Sequence, residues 1–254
     1  MRRWIAVAAA PAALFAGGVA LAAEHHTSHA AQTTGGLAIS PAILTHAPQL
    51  GSLGALTVSN HSSAPLTVTV TPRPWEQAAD GKVTANRKGT LGSIKLSTSS
   101  FTLAPNTEQH VDVSLTGVPA SGSLYGAFEV IGLPADAGKR KGVVLGYRLI
   151  GSLRLPPKQK KRSLSAGQVK KVGRAVVLPL TNGGNTIDPI SGEISVKSAR
   201  GTQNDDIDGL RILPGKKVNV SLGSGLRSGA YSATVTLEQG GTKILTAKRR
   251  FSVR

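Results

Sequence analysis

Two similar stretches of alternating hydrophobic and polar residues organise the chain. The first, Phe101–Ile131, predicts two strands, because apolar residues recur at every second position on either side of a break rich in Gly and Pro. The second, Leu210–Leu237, repeats the same order of strand, break and strand. A repeat with a period near half of the chain predicts two similar domains.

The two copies share landmarks as well as their pattern. A strand that ends in an asparagine precedes each copy, Asn60 in the first and Asn182 in the second. A turn opens each copy, and we align Leu213-Pro-Gly215 with Leu103-Ala-Pro105. This alignment pairs three apolar positions of the next strand: Val218, Val220 and Leu222 with Val111, Val113 and Leu115.

Composition favours an all-β fold for both domains. The 254 residues include 30 Gly and 14 Pro, and Val and Thr occupy many alternating positions. Cysteine is absent, which excludes disulfides and cysteine-ligated zinc, so each domain depends on its own hydrophobic core. The predicted domains are residues 37–157 and 158–254, and a linker rich in Pro and Lys joins them.

The N-terminal residues have the pattern of a secretory signal peptide. Residues 1–23 begin with two arginines, continue as an apolar, Ala-rich run and end near an A-x-A cleavage site. A single membrane anchor is the alternative, although Pro and Gly-Gly weaken the segment as a helix. Residues 24–36 form a polar linker that we expect to be disordered, and its histidines, His25, His26 and His29, leave transition-metal binding open. No later segment is apolar enough to span a membrane, so we expect an exported chain without a transmembrane segment.

The positive charge is concentrated in the second domain. Residues 158–254 contain 18 Lys or Arg and 6 Asp or Glu, a net +12, whereas residues 24–157 carry only +3. A basic surface attracts anionic partners, which include wall polymers, anionic lipids and nucleic acid. Export and the lack of interleaved aromatic residues argue against nucleic acid. The candidate residues for an anionic polymer are Lys158, Lys160, Lys161, Arg162, Lys170 and Lys171. A solvated hinge is the alternative interpretation of the linker lysines.

The last strand of the first domain is a candidate site for a partner protein. Residues 143–155 alternate, and the apolar positions that share one face are Val143, Leu145, Tyr147, Leu149 and Leu153. Such a strand can accept a partner strand by β-augmentation, but an ordinary internal strand has the same pattern. Trp75 is predicted to pack in the core, and a ligand platform is the alternative.

One acidic segment of the second domain is a weak candidate for a cation site. Asp205, Asp206 and Asp208 are predicted to lie in a loop between short strands. Carboxylates suit Ca²⁺, but the remaining ligands and the Gly spacing of an EF-hand are missing. A solvated turn is therefore the favoured interpretation, and we predict neither a metal nor a cofactor.

Residues 37–155 resemble the N-terminal immunoglobulin-like domain of periplasmic pilus chaperones. The resemblance lies in the order of the segments ALTVSN, PLTVTV, LAPNTEQHVDVSL and LYGAFEV and a closing alternating strand. The segment is also similar to the first domain of WxL-interacting surface proteins, and the second domain looks like bacterial immunoglobulin-like accessory domains. The resemblance implies two tandem immunoglobulin-like β-sandwiches. The basic pair with which pilus chaperones anchor a subunit carboxylate falls here near Pro41 and Gly151-Ser152, and neither position is basic.

The residue inventory argues against an enzyme. The sequence has no G-x-S-x-G, no H-E-x-x-H, no phosphate-binding loop and no cysteine. We therefore expect an exported, noncatalytic scaffold or adhesion protein of the cell envelope that binds a protein partner, an anionic wall polymer or both. The alternative is an extracytoplasmic assembly chaperone that captures partner strands.

Overall fold

The computed structural model describes residues 36–254, and these residues form β-strands, turns and one short 3-10 turn. The predicted signal peptide and the three histidines of the predicted linker lie outside the described residues. Between Gly36 and Arg254, no helix is long and apolar enough to cross a membrane. The structure is thus all-β, as predicted.

The first sandwich contains ten strands. They are β1 (Leu37–Ser40), β2 (Ile43–Thr45), β3 (Gly51–Asn60), β4 (Leu66–Gln77), β5 (Val83–Ala85), β6 (Ile94–Leu96), β7 (Ser100–Leu103), β8 (Thr107–Leu115), β9 (Leu124–Pro134) and β10 (Tyr147–Leu155). One sheet has the order β1-β3-β8-β6, and the other has the order β2-β10-β9-β4-β5, with β7 also paired to β4. A single hydrophobic cluster fills the space between the two sheets, and Phe128 is the largest side chain that is fully buried in it.

The first strand of this sandwich changes sheets halfway along its length. β1 pairs with β3 in one sheet, and β2 pairs with β10 in the other. The cis peptide bond between Ser40 and Pro41 lies at the bend between β1 and β2. The proline stands between two short apolar runs of the sequence, one in each of the two strands. As a result, β2 pairs with only part of the side of β10 that faces away from β9.

The second sandwich contains eight strands. They are β11 (Leu164–Ala166), β12 (Lys170–Val172), β13 (Ala175–Asn182), β14 (Ile190–Ser198), β15 (Gly201–Leu210), β16 (Lys217–Ser224), β17 (Gly229–Gln239) and β18 (Thr242–Val253). In one sheet β11, β12 and β16 pair with β13, and the other sheet has the order β15-β14-β17-β18. A second hydrophobic cluster lies between these sheets, and no residue belongs to both clusters. Each sandwich therefore has its own core, and the boundary between residues 157 and 158 stays a prediction.

Asn60 and Asn182 have the same role in the two sandwiches. Each side chain is fully buried, and its amide donates to the carbonyl four residues further along, at 2.9 Å in both cases. Each amide also donates to a carbonyl just before the strand that pairs with its own, that of Leu103 before β8 at 3.0 Å and that of Ile212 before β16 at 2.7 Å. A buried polar group needs such partners, so each asparagine ties a strand end to a distant turn.

The strand pairing corrects the sequence alignment of the two copies. Leu56, four residues before Asn60, pairs with Val111. Leu178, four residues before Asn182, pairs with Val220, so Val220 rather than Val218 takes the place of Val111. The alignment was wrong by two residues, because a shift of two preserves the alternation of a strand and leaves the hydrophobic pattern unchanged.

Three local predictions also differ from the structure. The strand predicted over residues 143–155 begins only at Tyr147. The acidic segment predicted as a loop is part of β15, where pairing with β14 outweighs the low strand propensity of Asp and Asn. Trp75 is half-buried outside the core cluster, because it lies beyond Val70, the last residue of β4 that belongs to the cluster.

Candidate functional site

One edge of β10 is open over the first half of the strand. β9 pairs with β10 from Tyr147 to Leu155, whereas β2 on the opposite side reaches only Ser152, Leu153 and Arg154. The Ser152 N–H donates to the Ala42 carbonyl at 2.8 Å, away from β9. Backbone groups alternate between the two sides of a strand, so the N–H and C=O groups of Arg148 and Ile150 also point away from β9. No strand in the described part of the chain pairs with them.

Exposed apolar residues surround the open edge. Val143 is 91% exposed and Leu145 is 82% exposed, and both lie in the extended segment that leads into β10. Leu133 on β9 and Ile150 on β10 are also exposed large hydrophobic residues. A Cβ atom on Gly146 would lie 2.5 Å from the Leu133 side chain, so the glycine lets the segment pass close to β9. This combination of a free backbone edge and exposed apolar side chains suits an added strand.

The five residues predicted for partner binding run from exposed to buried. Val143 and Leu145 are open to solvent, Tyr147 and Leu149 are half-buried against the core cluster, and Leu153 is fully buried within it. Leu153 therefore has no surface to offer a partner. The accessible part of the candidate site is the segment before β10 together with the first half of the strand, which we call the β10 edge (residues 143–150).

A buried carboxylate lies beside the β10 edge. Glu129 on β9 is 1% exposed, and it accepts hydrogen bonds from Arg73 on β4 at 2.9 Å and from Arg148 on β10 at 2.7 Å. Arg87 approaches the same carboxylate at 3.5 Å. Burial alone would raise the pKa of Glu129, but the hydrogen bonds and positive charges of Arg148 and Arg73 hold this pKa below its ordinary value. Glu129 thus fixes Arg148, and with it the start of β10, to the neighbouring strands.

The six basic residues predicted for polymer binding have different environments. Lys160 and Arg162 both contact the carboxylate of Asp188, at 2.9 Å and 3.0 Å. Burial would raise the pKa of Asp188, but the hydrogen bonds from Lys160, Thr186 and Arg162 hold it below its ordinary value. Part of the charge of the linker is therefore neutralised within the chain. Lys158 and Lys161 are exposed in the linker, where the Lys161 backbone N–H donates to Asn185.

The remaining two basic candidates lie on a strand of the second sandwich. Lys170 and Lys171 are exposed on β12, and Arg174 follows in the next turn. No acidic side chain in the described residues forms an ion pair with these three groups. Among the six candidates, Lys158, Lys161, Lys170 and Lys171 thus form no ion pair within the described residues, and Arg174 adds a further unpaired charge beside β12.

Contacts between the two sandwiches hold their adjoining ends together. The buried side chain of Gln77, at the end of β4, donates to the Arg211 carbonyl and accepts from the Leu213 N–H, both at 2.8 Å. Trp75 and Tyr125 from the first sandwich line a cavity with Leu213 of the second. Between Gly36 and Arg254, no group of three or more His, Asp or Glu side chains is arranged to hold a metal ion.

The fold is similar to that of fimbrial chaperones of known structure. No protein-family model matches the sequence, and no curated protein matches it. A chain of the chaperone–tip adhesin complex of CFA/I fimbriae is similar with a TM-score of 0.52 at 10% identity, over 85% of this chain and 98% of that one. The class 5 fimbriae chaperone CfaA gives 0.49 at 13% identity, over 86% and 99%. A chain of the chaperone–tip adhesion subunit complex of Csu pili from Acinetobacter baumannii gives 0.48 at 12%, over 85% and 97%.

At such low identity the likeness defines a class of fold. The chain has the two-sandwich, immunoglobulin-like architecture of the pilus chaperones, and the resemblance predicted from the first domain is confirmed. The similarity covers most of this chain, so it includes the second sandwich as well.

Proposed function

We propose that this protein is a noncatalytic, extracytoplasmic binding protein that captures a strand of an exported partner along the β10 edge. One observation carries the proposal: the backbone groups of Arg148 and Ile150 have no strand partner in the described residues, and the exposed Val143 and Leu145 continue the same edge. An added strand would bond to these backbone groups and cover the apolar side chains. This is the chaperone-like alternative that the sequence predicted. In the scaffold or adhesion role, the same edge would hold its partner permanently.

The geometry of the edge also suggests how such a strand would be selected. Backbone hydrogen bonds give affinity without reading sequence, while pockets for alternate side chains give specificity. Val143 and Leu145 are both exposed and lie two residues apart in an extended segment, so the captured strand would present apolar residues at every second position. Arg148, which Glu129 holds in place, stands in the middle of the edge as a charged neighbour.

A proline at the open edge tests this proposal. Ile150→Pro removes an N–H that points away from β9, whereas the matched control Ile150→Ala retains it and shortens the same side chain. The protein is purified from the extracytoplasmic fraction at low salt and at high salt, and co-purifying proteins are identified by mass spectrometry. We expect a stoichiometric exported protein that survives high salt with the wild type and Ile150→Ala and is lost with Ile150→Pro. Equal recovery with all three proteins would contradict strand capture.

A second candidate function is binding of an anionic cell-envelope polymer by the second sandwich. The exposed, unpaired charges of Lys170, Lys171 and Arg174 favour it. Replacement of Lys170 and Lys171 by Glu should weaken sedimentation with purified wall material, and the same replacement of Lys82 and Lys95 in the first sandwich is the control. Exposed charges are screened over about 10 Å at 0.1 M salt, so binding that is unchanged at about 1 M salt would contradict an electrostatic site.

A further inference from the structure

The sheet of the second sandwich formed by β15, β14, β17 and β18 ends on both sides in a long strand. β15 has 10 residues and pairs only with β14, and β18 has 12 residues and pairs only with β17. Within residues 36–254, no other strand covers either outer edge. Free edges of this length are templates for pairing with another chain, and proteins normally shorten or cover them.

The two edge strands carry opposite charges. β15 contains Asp205, Asp206 and Asp208 and no basic residue. β18 contains four basic residues and no acidic one: Lys243, Lys248, Arg249 and Arg250. Arg249 turns toward the facing sheet, where it donates to the carbonyls of Ala166 and Gly167. None of the other charged side chains of these two strands forms an ion pair within the described residues.

The free charges lie on the same face of the sheet. Ile194 on β14 is in the core and pairs with Val235 on β17 and Asp205 on β15, so the next residue, Asp206, points to the outer face. Ile207 packs against the core, so Asp208 beside it also points outward, next to the bulge in the pairing with β14. Lys248 and Arg250 also point outward. Ala247 on β18 is buried and pairs with the core residue Val235, so its side chain points inward, and the side chains one and three residues further along point to the outer face. Both outward pairs are two residues apart along their strands.

The strand directions allow one copy to continue the sheet of another. All neighbouring strands in the order β15-β14-β17-β18 are antiparallel, so β15 and β18 run in opposite directions. When a second copy in the same orientation is placed beside the first, its β15 therefore runs antiparallel to the first copy's β18. The outer faces then coincide, and a continuous sheet results.

We propose that β15 of one copy docks antiparallel against β18 of a second copy of this chain. In the register that charge complementarity favours, Asp206 lies opposite Arg250 and Asp208 lies opposite Lys248. This inference goes beyond the proposed function, because it uses a different sandwich and needs no foreign strand. The contact is heterologous: each copy retains one free β15 and one free β18, so association continues beyond a dimer unless a ring closes.

The charge pattern selects this pairing and opposes the symmetric ones. Two β15 strands would bring aspartates together, and two β18 strands would bring lysines and arginines together, which is unfavourable for charges directly opposite each other. Asp206 already lies opposite Glu193 on β14, so it has a like charge on one side. Arg250 of a docked copy would supply the opposite charge on its free side.

Charge reversal of each edge strand tests the proposal, with the two variant proteins measured separately and as a mixture. The variants are Asp206→Lys with Asp208→Lys in one protein and Lys248→Asp with Arg250→Asp in another. Sedimentation velocity over a range of protein concentrations at about 0.1 M salt should show wild-type species larger than a dimer. At about 1 M salt the protein should be monomeric, because the screening length falls from about 10 Å to about 3 Å. Each variant alone should remain monomeric, since both of its edges then have the same sign.

A mixture of the two variants gives the decisive result. The reversed β15 of one variant complements the reversed β18 of the other, and their two unreversed edges complement each other as well, so mixing should restore association. Glu76→Lys with Asp112→Lys changes the net charge as the β15 variant does but at exposed sites of the first sandwich, and it should associate like the wild type. A wild type that stays monomeric at low salt, single variants that still associate, or a mixture that stays monomeric would each overturn the proposal.

Discussion

Replacing Glu129 with glutamine should destabilise the protein far more than an ordinary surface substitution. The Glu129 carboxylate is 1% exposed and the Arg73 side chain that it binds is 17% exposed, so this contact is a buried ion pair. Removing one partner of such a pair costs about 3–5 kcal/mol, because the other charge stays buried without compensation. Arg148 and Arg87 are 46% and 68% exposed, so water solvates their charges when the carboxylate is removed. The loss of each of these two contacts adds at most about 1 kcal/mol to the destabilisation. The glutamine carbonyl retains one hydrogen bond, which favours the lower end, about 3 kcal/mol.

Urea unfolding of the wild type and of Glu129→Gln at neutral pH measures this loss. Glu76→Gln is the matched control, because Glu76 is an exposed carboxylate on β4 without an ion pair, and its replacement should change the free energy of unfolding by no more than about 0.5 kcal/mol. Arg73→Met in the Glu129→Gln background should cost less than Arg73→Met alone, since the pair is already broken. A loss below about 1 kcal/mol for Glu129→Gln would refute this reasoning, because the network would then contribute no more than exposed pairs do.

Three further results follow from the same contacts. The folded-state pKa values of Glu129 and Asp188 lie below their ordinary values of 4.5 and 3.8. The stability that these two carboxylates contribute is therefore present above the ordinary values and is lost as the pH falls through the folded-state pKa values. Urea midpoints measured between neutral pH and about pH 2 should fall in the acid range only. Asn182→Ala leaves two buried carbonyls and one half-buried N–H without their partner, and it should lower the free energy of unfolding by about 3 kcal/mol in the same assay. In amide hydrogen exchange of the isolated protein, Arg148 and Ile150 should exchange faster than the neighbouring Leu149, whose N–H points to β9.

The sequence predicts the strands whose two faces differ most in polarity. β3, β8 and β13 have clear apolar positions and definite ends, and the bend at Pro41 follows from a proline between two short apolar runs. The repeated asparagines were recognised as landmarks, but their hydrogen bonds were not. Asn60 and Asn182 hold distant turns, and those partners become neighbours only after the sheets form.

The parts that the sequence did not predict depend on which strands are neighbours. Alternation over residues 143–155 is continuous, yet only Tyr147–Leu155 has β9 beside it, and the segment before it remains exposed. The acidic residues of β15 have no apolar pattern of their own, and their strand forms on the template of β14. The β10 edge is open because β2 reaches only Ser152, Leu153 and Arg154, and a hydrophobic pattern does not record how far a neighbouring strand extends.

The role of Glu129 was missed for a similar reason. On sequence alone it is one polar position in an otherwise apolar strand, and its three arginines come from β4, from β10 and from the loop after β5. A charged residue within a strand whose other outward positions are small or apolar is a signal that could have identified it. Charge in a buried position requires partners, and the sequence contains basic residues in both strands that flank β9.

Site-specific photo-crosslinking at the β10 edge tests the central claim most directly. A photoreactive amino acid replaces Leu145 in one protein and Val172, an exposed apolar residue on β12 of the second sandwich, in the other, and both are irradiated in cells that produce the protein's own exported partners. The account predicts a discrete crosslinked exported protein from position 145, absent from position 172 and lost when Ile150→Pro is added. No crosslink at position 145, or the same products from both positions, would contradict capture of a partner strand at this edge.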